Sequence, residues 1–118
     1  MAITINTQSK DFTEVEQYLM TVDRGIRSLK DVEDNTSIPV AGYLTFTDEK
    51  ENGDSVDILS IITPNNVVFS CQSATFKRSF DNISNIMHGK HFSIIKISGT
   101  TKAGRPYIDC ALDVESVK

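Results

Sequence analysis

The sequence predicts a mostly β chain: a small five-stranded barrel over residues 37–118, with one helix between its third and fourth strands, behind an N-terminal arm over residues 1–36. Three observations predict it. Short segments of alternating apolar and polar residues begin at Ile38 and are separated by turn-forming residues. Near Ser73 the apolar period changes from two to about 3.6, the helical value, and it returns to two after Gly89. A turn-forming octet, Ser98 to Arg105, then divides the last apolar stretch.

The arm has scattered apolar residues, many charges and no strand pattern. Thr13-x-x-Glu16 has the form of a capping box, and Val15, Tyr18, Leu19 and Val22 follow helical spacing. These predict a short helix from about Thr13 to Thr21, ended by Gly25, with Lys30–Asn35 as a turn or linker.

Pro39 opens the first strand, Val40–Thr47, in which Val40, Gly42, Leu44 and Phe46 share one face and Ala41, Tyr43 and Thr45 the other. Asp48–Asp54 is a charged hairpin loop with an Asn-Gly turn signal. Ser55–Thr63 is the second strand. Pro64-Asn65-Asn66 turns the chain into the third, Val67–Cys71. In Ala74–His88 the residues Phe76, Phe80, Ile83, Ile86 and Met87 are expected on one helical face, with Ser73 as N-cap and Gly89 as the stop. Strands return at His91–Ser98 and Pro106–Val114. Three strands, a helix and two strands is the element order of the OB-fold, a partly open five-stranded barrel. A ferredoxin-like domain needs a helix after its first strand, and none is predicted there. A mixed sheet using the helix as a βαβ crossover remains the competitor.

At 118 residues the chain has the size of one domain, with 39% hydrophobic and 24% charged residues, an ordinary globular composition. No apolar run is long enough to span a bilayer, and the first residues lack the basic and apolar regions of a signal peptide. A cytoplasmic protein without a membrane association is therefore expected. Cys71 and Cys110 stand among apolar residues without metal-ligand spacing, so both are expected as small buried thiols. His88 and His91 bracket Gly89-Lys90 and are expected at the surface. With no Walker loop, GxSxG or calcium-loop spacing, no enzyme activity, metal or cofactor is expected.

Charge is unevenly distributed. Residues 1–70 hold five Lys/Arg against twelve Asp/Glu, a net −7, whereas residues 71–118 hold seven against four, a net +3. Between Lys77 and Arg105 there are six bases and one acid, Asp81. Such a basic zone attracts phosphates locally, because screening confines distant charges to about 8–10 Å.

Single-strand binding by an OB-fold needs aromatic faces for bases and cations for phosphates. Tyr43, Phe69 and Tyr107 are the candidate faces. Tyr43 alternates away from Leu44 and Phe46, and Tyr107 shares its side with Asp109, Ala111 and Asp113; Phe69 fits equally with a core face. Lys77, Lys96, Lys102 and Arg105 are the candidate cations. Lys102 and Arg105 lie in the Gly-bearing loop before the last strand, where Gly99 and Gly104 permit close approach of a phosphate. Lys96 falls on the side of Phe92 and Ile94, where a charge requires solvent or an anion.

Four segments together resemble a known group. They are Ser28-Leu29-Lys30-Asp31-Val32, Val40-Ala41-Gly42-Tyr43, Val68-Phe69-Ser70-Cys71 and Ser98-Gly99-Thr100-Thr101-Lys102-Ala103-Gly104-Arg105. The last is similar to a Gly-Thr-Ser-x-x-Gly turn before a final strand. Between Ser28 and Leu112 the chain thus resembles the single-stranded-DNA-binding proteins of tailed phages that prime replication with a terminal protein. The resemblance implies a non-enzymatic protein that coats displaced strands in phage DNA replication and binds them through tyrosines. Tyr43 matches an aromatic position, and Phe69 stands where a tyrosine is expected.

The alternative is an OB-fold interaction module that binds a host or replication protein, with Asp31, Glu33, Asp34 and the Asp48–Asp54 loop as its contacts. Between monomer and small homo-oligomer the sequence makes no choice.

Overall fold

The computed structural model describes residues 2–117. Strand accounts for 42% of the chain and helix for 25%, so the class is mostly β, in two sheets, with no closed barrel among the described residues. By its contacts the chain divides into two units: the residues up to Ser28 together with Ala41–Gln72, and Leu29–Val40 together with the residues from Ser73 on.

The first unit is a five-stranded sheet with one helix. Its strands are β1 (Ala2–Gln8), β2 (Arg27–Ser28), β4 (Gly42–Glu49), β5 (Ser55–Ile62) and β6 (Val68–Cys71), ordered β1-β4-β5-β6-β2. Neighbours are antiparallel except β2, which runs parallel to β6. Helix α1 (Glu14–Thr21) starts where the sequence predicts, because Thr13 and Glu16 form the capping box: Thr13 Oγ1 accepts from Glu16 N at 3.1 Å and Glu16 Oε1 from Thr13 N at 3.0 Å. It ends at Thr21, as predicted, and the residue that caps it is Val22, whose N–H donates to the Tyr18 carbonyl, rather than Gly25. The core gathers Phe12, Met20, Leu44, Phe46, Ile62 and Val68. Gly42 is part of it by necessity, since a Cβ there would lie 2.8 Å from Phe12 Cζ.

Strand β1 departs from the expected arm without strands. Its two isoleucines, Ile3 and Ile5, alternate with polar residues, but the register slips between Ile5 and Thr7 and the pattern stops. What makes it a strand is β4, which supplies the hydrogen-bond ladder, and no local periodicity reports a partner forty residues away.

The second unit holds β3 (Ser37–Val40), β7 (Phe92–Thr100) and β8 (Pro106–Leu112) in an antiparallel sheet ordered β3-β7-β8, with helix α2 (Ala74–Met87) packed on β8. The predicted strand Val40–Thr47 is thus two strands: Val40 ends β3, Gly42 begins β4, and Ala41 N is turned to the Ile62 carbonyl. Pro39 sits in β3, an edge strand, where a missing N–H costs no ladder bond. Ser73 Oγ accepts from Phe76 N at 3.2 Å and starts α2 as expected. The left-handed cap begins at His88 (φ 46°), one residue before the predicted stop Gly89 (φ 86°). Phe76, Phe80 and Met87 are buried, whereas Ile86 is 79% exposed. Ile86 stands about 100° off the line of the other three at 100° per residue, enough to take it out of the core. Phe80 meets Phe92 at a ring separation of 6.1 Å.

All three hairpin loops use one device. In Lys50–Asp54, Thr63–Val67 and Thr101–Arg105, the first N–H donates to the fifth carbonyl and the fourth N–H to the first carbonyl. The fourth residue is left-handed each time: Gly53 (φ 90°), Asn66 (φ 63°) and Gly104 (φ 84°). Cys71 and Cys110 are buried, as expected.

Candidate nucleic-acid interface

The β7–β8 hairpin builds one cluster of the predicted residues. Its register places Tyr107 opposite Gly99. A Cβ added at Gly99 would lie 2.6 Å from Tyr107 Oη and 2.7 Å from Cζ, so the ring lies directly over the glycine backbone. Gly99 therefore serves the tyrosine, and not, as its sequence context indicated, the approach of a phosphate. The ring remains 39% exposed. Lys102 and Arg105 are exposed in the adjoining loop, whose geometry is fixed by Gly104 and by the bond from Arg105 N to Thr101 Oγ1 (3.1 Å). Arg105 is two residues from Tyr107, about 7 Å along an extended chain. Asp109, half-buried on the same side of β8, is an acidic neighbour that a phosphate must avoid.

The first unit builds another. Tyr43 of β4 pairs with Ile61 of β5, Ile61 with Phe69 of β6, and Phe69 with Arg27 of β2. Paired residues share a face, so Tyr43, Phe69 and Arg27 form one row across the sheet, with Ile61 fully buried between the two rings. Strands are about 4.8 Å apart, which sets the Tyr43 and Phe69 backbones about 10 Å apart and Arg27 one strand beyond. Both rings are half-buried and Arg27 is exposed. Ser9 holds the Tyr43 end: its N–H donates to the Tyr43 carbonyl (2.9 Å), and its Oγ accepts from Tyr43 N (2.9 Å).

Sequence reasoning misses Arg27. It lies in a two-residue parallel strand, too short for any periodic signal, and only the register with β6 shows that it follows Phe69 in the row.

The other two predicted cations are placed differently. Lys77 is half-buried on α2, while Lys96 is only 4% exposed. The Lys96 ammonium donates to the Val32 carbonyl at 2.6 Å and to Asp34 Oδ1 at 3.2 Å. The anion that a charge on this face requires is thus part of the chain, and Lys96 stands apart from the exposed cations Lys102 and Arg105. Hydrogen bonds from Ser98 (2.6 Å) and Lys96 hold the Asp34 carboxyl below the usual aspartate range. His88 and His91 are exposed.

The second unit thus presents one exposed ring with Arg105 two residues away, and the first holds two half-buried rings in a row with the exposed Arg27. No family model, no characterised protein and no solved structure matches the chain. Its functional reading rests on these residues.

Proposed function

We propose that the protein is a non-enzymatic, sequence-tolerant single-stranded-DNA-binding module of the OB type, which coats strands displaced during DNA replication. The observation that carries the proposal is Tyr107: an exposed ring laid over Gly99, with Lys102 and Arg105 in the loop beside it. A ring backed by glycine offers its outer face to a base without reorganising, and stacking of this kind tolerates any base. The row Tyr43–Phe69–Arg27 supplies a further pair of rings with a cation, the combination that single-strand binding requires. The resemblance to the phage single-strand-binding group supports the same reading through Tyr43, Phe69 and the loop before β8.

Strand pairing supports the OB assignment. β4, β5 and β6 form an antiparallel meander; β3, which precedes β4 with only Ala41 between them, pairs with β7, and β7 with β8. Counted together in chain order, β3 and β4 make the first of five, with α2 between the third and fourth. Strands β1 and β2 and helix α1 are then additions to that plan.

A fluorescence titration tests the function. The chain has no tryptophan, and two of its three tyrosines, Tyr43 and Tyr107, are candidate stacking rings, so tyrosine emission reports on those two against the background of Tyr18. Adding single-stranded oligonucleotide at low salt is expected to quench it, and the Tyr107→Ala variant is expected to quench less and bind more weakly. Unchanged emission and unchanged electrophoretic mobility of the oligonucleotide, with protein in excess at low salt, overturn the proposal.

A further inference from the structure

Helix α1 packs on β5 and β6 and buries Met20, yet it leaves an apolar stripe outward: Val15 is 67% exposed, Tyr18 53% and Val22 45%. The spacing of three and four residues puts all three on one helical face. An isolated exposed valine needs no explanation; here three apolar side chains form one contiguous stripe with an aromatic at its centre.

We infer that this stripe is a self-association surface, on which a second copy of the chain docks its own α1 in antiparallel orientation. Two features select a second copy. First, the stripe is complementary to itself: Val15 and Val22 stand three and four residues to either side of Tyr18. A two-fold axis beside Tyr18 therefore sets each Val15 against the partner copy's Val22 and the two tyrosine rings against one another. Second, the charges at its ends are opposite. Asp11 and Glu14 are exposed at the N-terminal end and Arg24 beyond the C-terminal end, where the neighbouring Asp23 is half-buried and its carboxylate accepts from Gly25 N at 3.1 Å. Lys10, at the acidic end, is drawn over the Phe12 ring, 5.6 Å from its centroid. Antiparallel pairing brings each acidic end to the other copy's Arg24, whereas parallel pairing would oppose like charges.

The size of the surface sets the strength. Three partly exposed side chains make a patch of a few hundred Å² at most, against about 800 Å² per partner in a stable complex. Pairing is consequently weak and concentration-dependent. It is independent of DNA, so its test and that of strand binding fail separately.

Analytical ultracentrifugation of the full chain, without DNA, from about 10 µM to about 1 mM, tests it. The weight-average mass is expected to rise with concentration toward that of two chains. Val15→Glu is expected to hold it at one chain with an unchanged circular dichroism spectrum. Glu14→Arg and Arg24→Glu are each expected to weaken association, and the double variant Glu14→Arg/Arg24→Glu to recover it. A wild-type mass fixed at one chain at every concentration overturns the inference and assigns the stripe to a different protein. Association indifferent to Val15→Glu, or a double variant no better than the singles, overturns it as well.

Discussion

Lys96 and Asp34 tie strand β7 to the segment that precedes β3, ammonium to carboxylate at 3.2 Å, one partner buried and the other half-exposed. The same lysine reaches the Val32 carbonyl, and the same aspartate accepts from Ser98 Oγ at 2.6 Å. Backbone bonds from Asn35 N to the Lys96 carbonyl (2.7 Å) and from Lys96 N to the Thr36 carbonyl (3.0 Å) complete the attachment. Removing the carboxylate leaves a buried ammonium with one carbonyl for company.

Asp34→Asn is therefore expected to lower the melting temperature, in a pH-dependent way. Ser98 and Lys96 hold the Asp34 carboxyl below its ordinary range in the folded protein. A depressed folded value means that the stabilisation is present above the unfolded pKa, about 3.9, and is lost as pH falls through the folded value. The gap between wild type and variant is expected to be full near neutrality and to close in acid. Melting curves from about pH 7 down to about pH 3 check it, and a gap that stays constant contradicts the assigned cause.

Gly99→Ala is expected to cost about 1–3 kcal/mol, because the new methyl must displace the Tyr107 ring or the strand that carries it. Urea denaturation measures the change. The same variant is expected to weaken oligonucleotide binding although residue 99 itself has no side chain to offer.

Replacing the rings separates stacking from hydrogen bonding. Tyr107→Ala is expected to lose about 1–3 kcal/mol of binding, roughly 5- to 150-fold in Kd, while Tyr107→Phe stays near wild type. Phe69→Ala is expected to weaken binding similarly and Phe69→Tyr to be tolerated. Titrations of a short oligonucleotide at fixed salt compare the four.

The cations are read by the salt dependence of binding. For single strands, log Kobs against log salt falls by about 0.7 per phosphate neutralised. Lys102→Ala, Arg105→Ala and Arg27→Ala are each expected to weaken binding and to flatten that slope by about 0.7. Lys96→Met is expected to leave the slope unchanged, because its charge is already neutralised by Asp34.

Many of these features are legible in the amino-acid sequence, and the legible ones share a cause. Helices α1 and α2 begin at Thr13 and Ser73 because a side-chain oxygen three residues away from an N–H is a local arrangement. The hairpin loops are visible through their glycines and asparagines for the same reason. Alternation alone places Tyr107 on an exposed face, and it is exposed. In the site, Lys102 and Arg105 follow from the loop. Arg27 does not, because two residues of strand carry no period.

By itself, then, the sequence determined the mostly β class, the order of helix and strands from Val40 onward, the turns, and the two buried cysteines. Each depends on contacts within a few residues, where side-chain type and spacing act directly on the backbone. Only the tertiary structure decided that Ala2–Gln8 is a strand, that the chain changes sheets at Ala41, that Gly42 yields to Phe12 and Gly99 to Tyr107, and that Lys96 is spent on Asp34. Those outcomes join residues from eight to more than sixty positions apart, and a ladder, a ring on a glycine or an ion pair at that separation depends on which segments come to lie together. Local period carries no record of that.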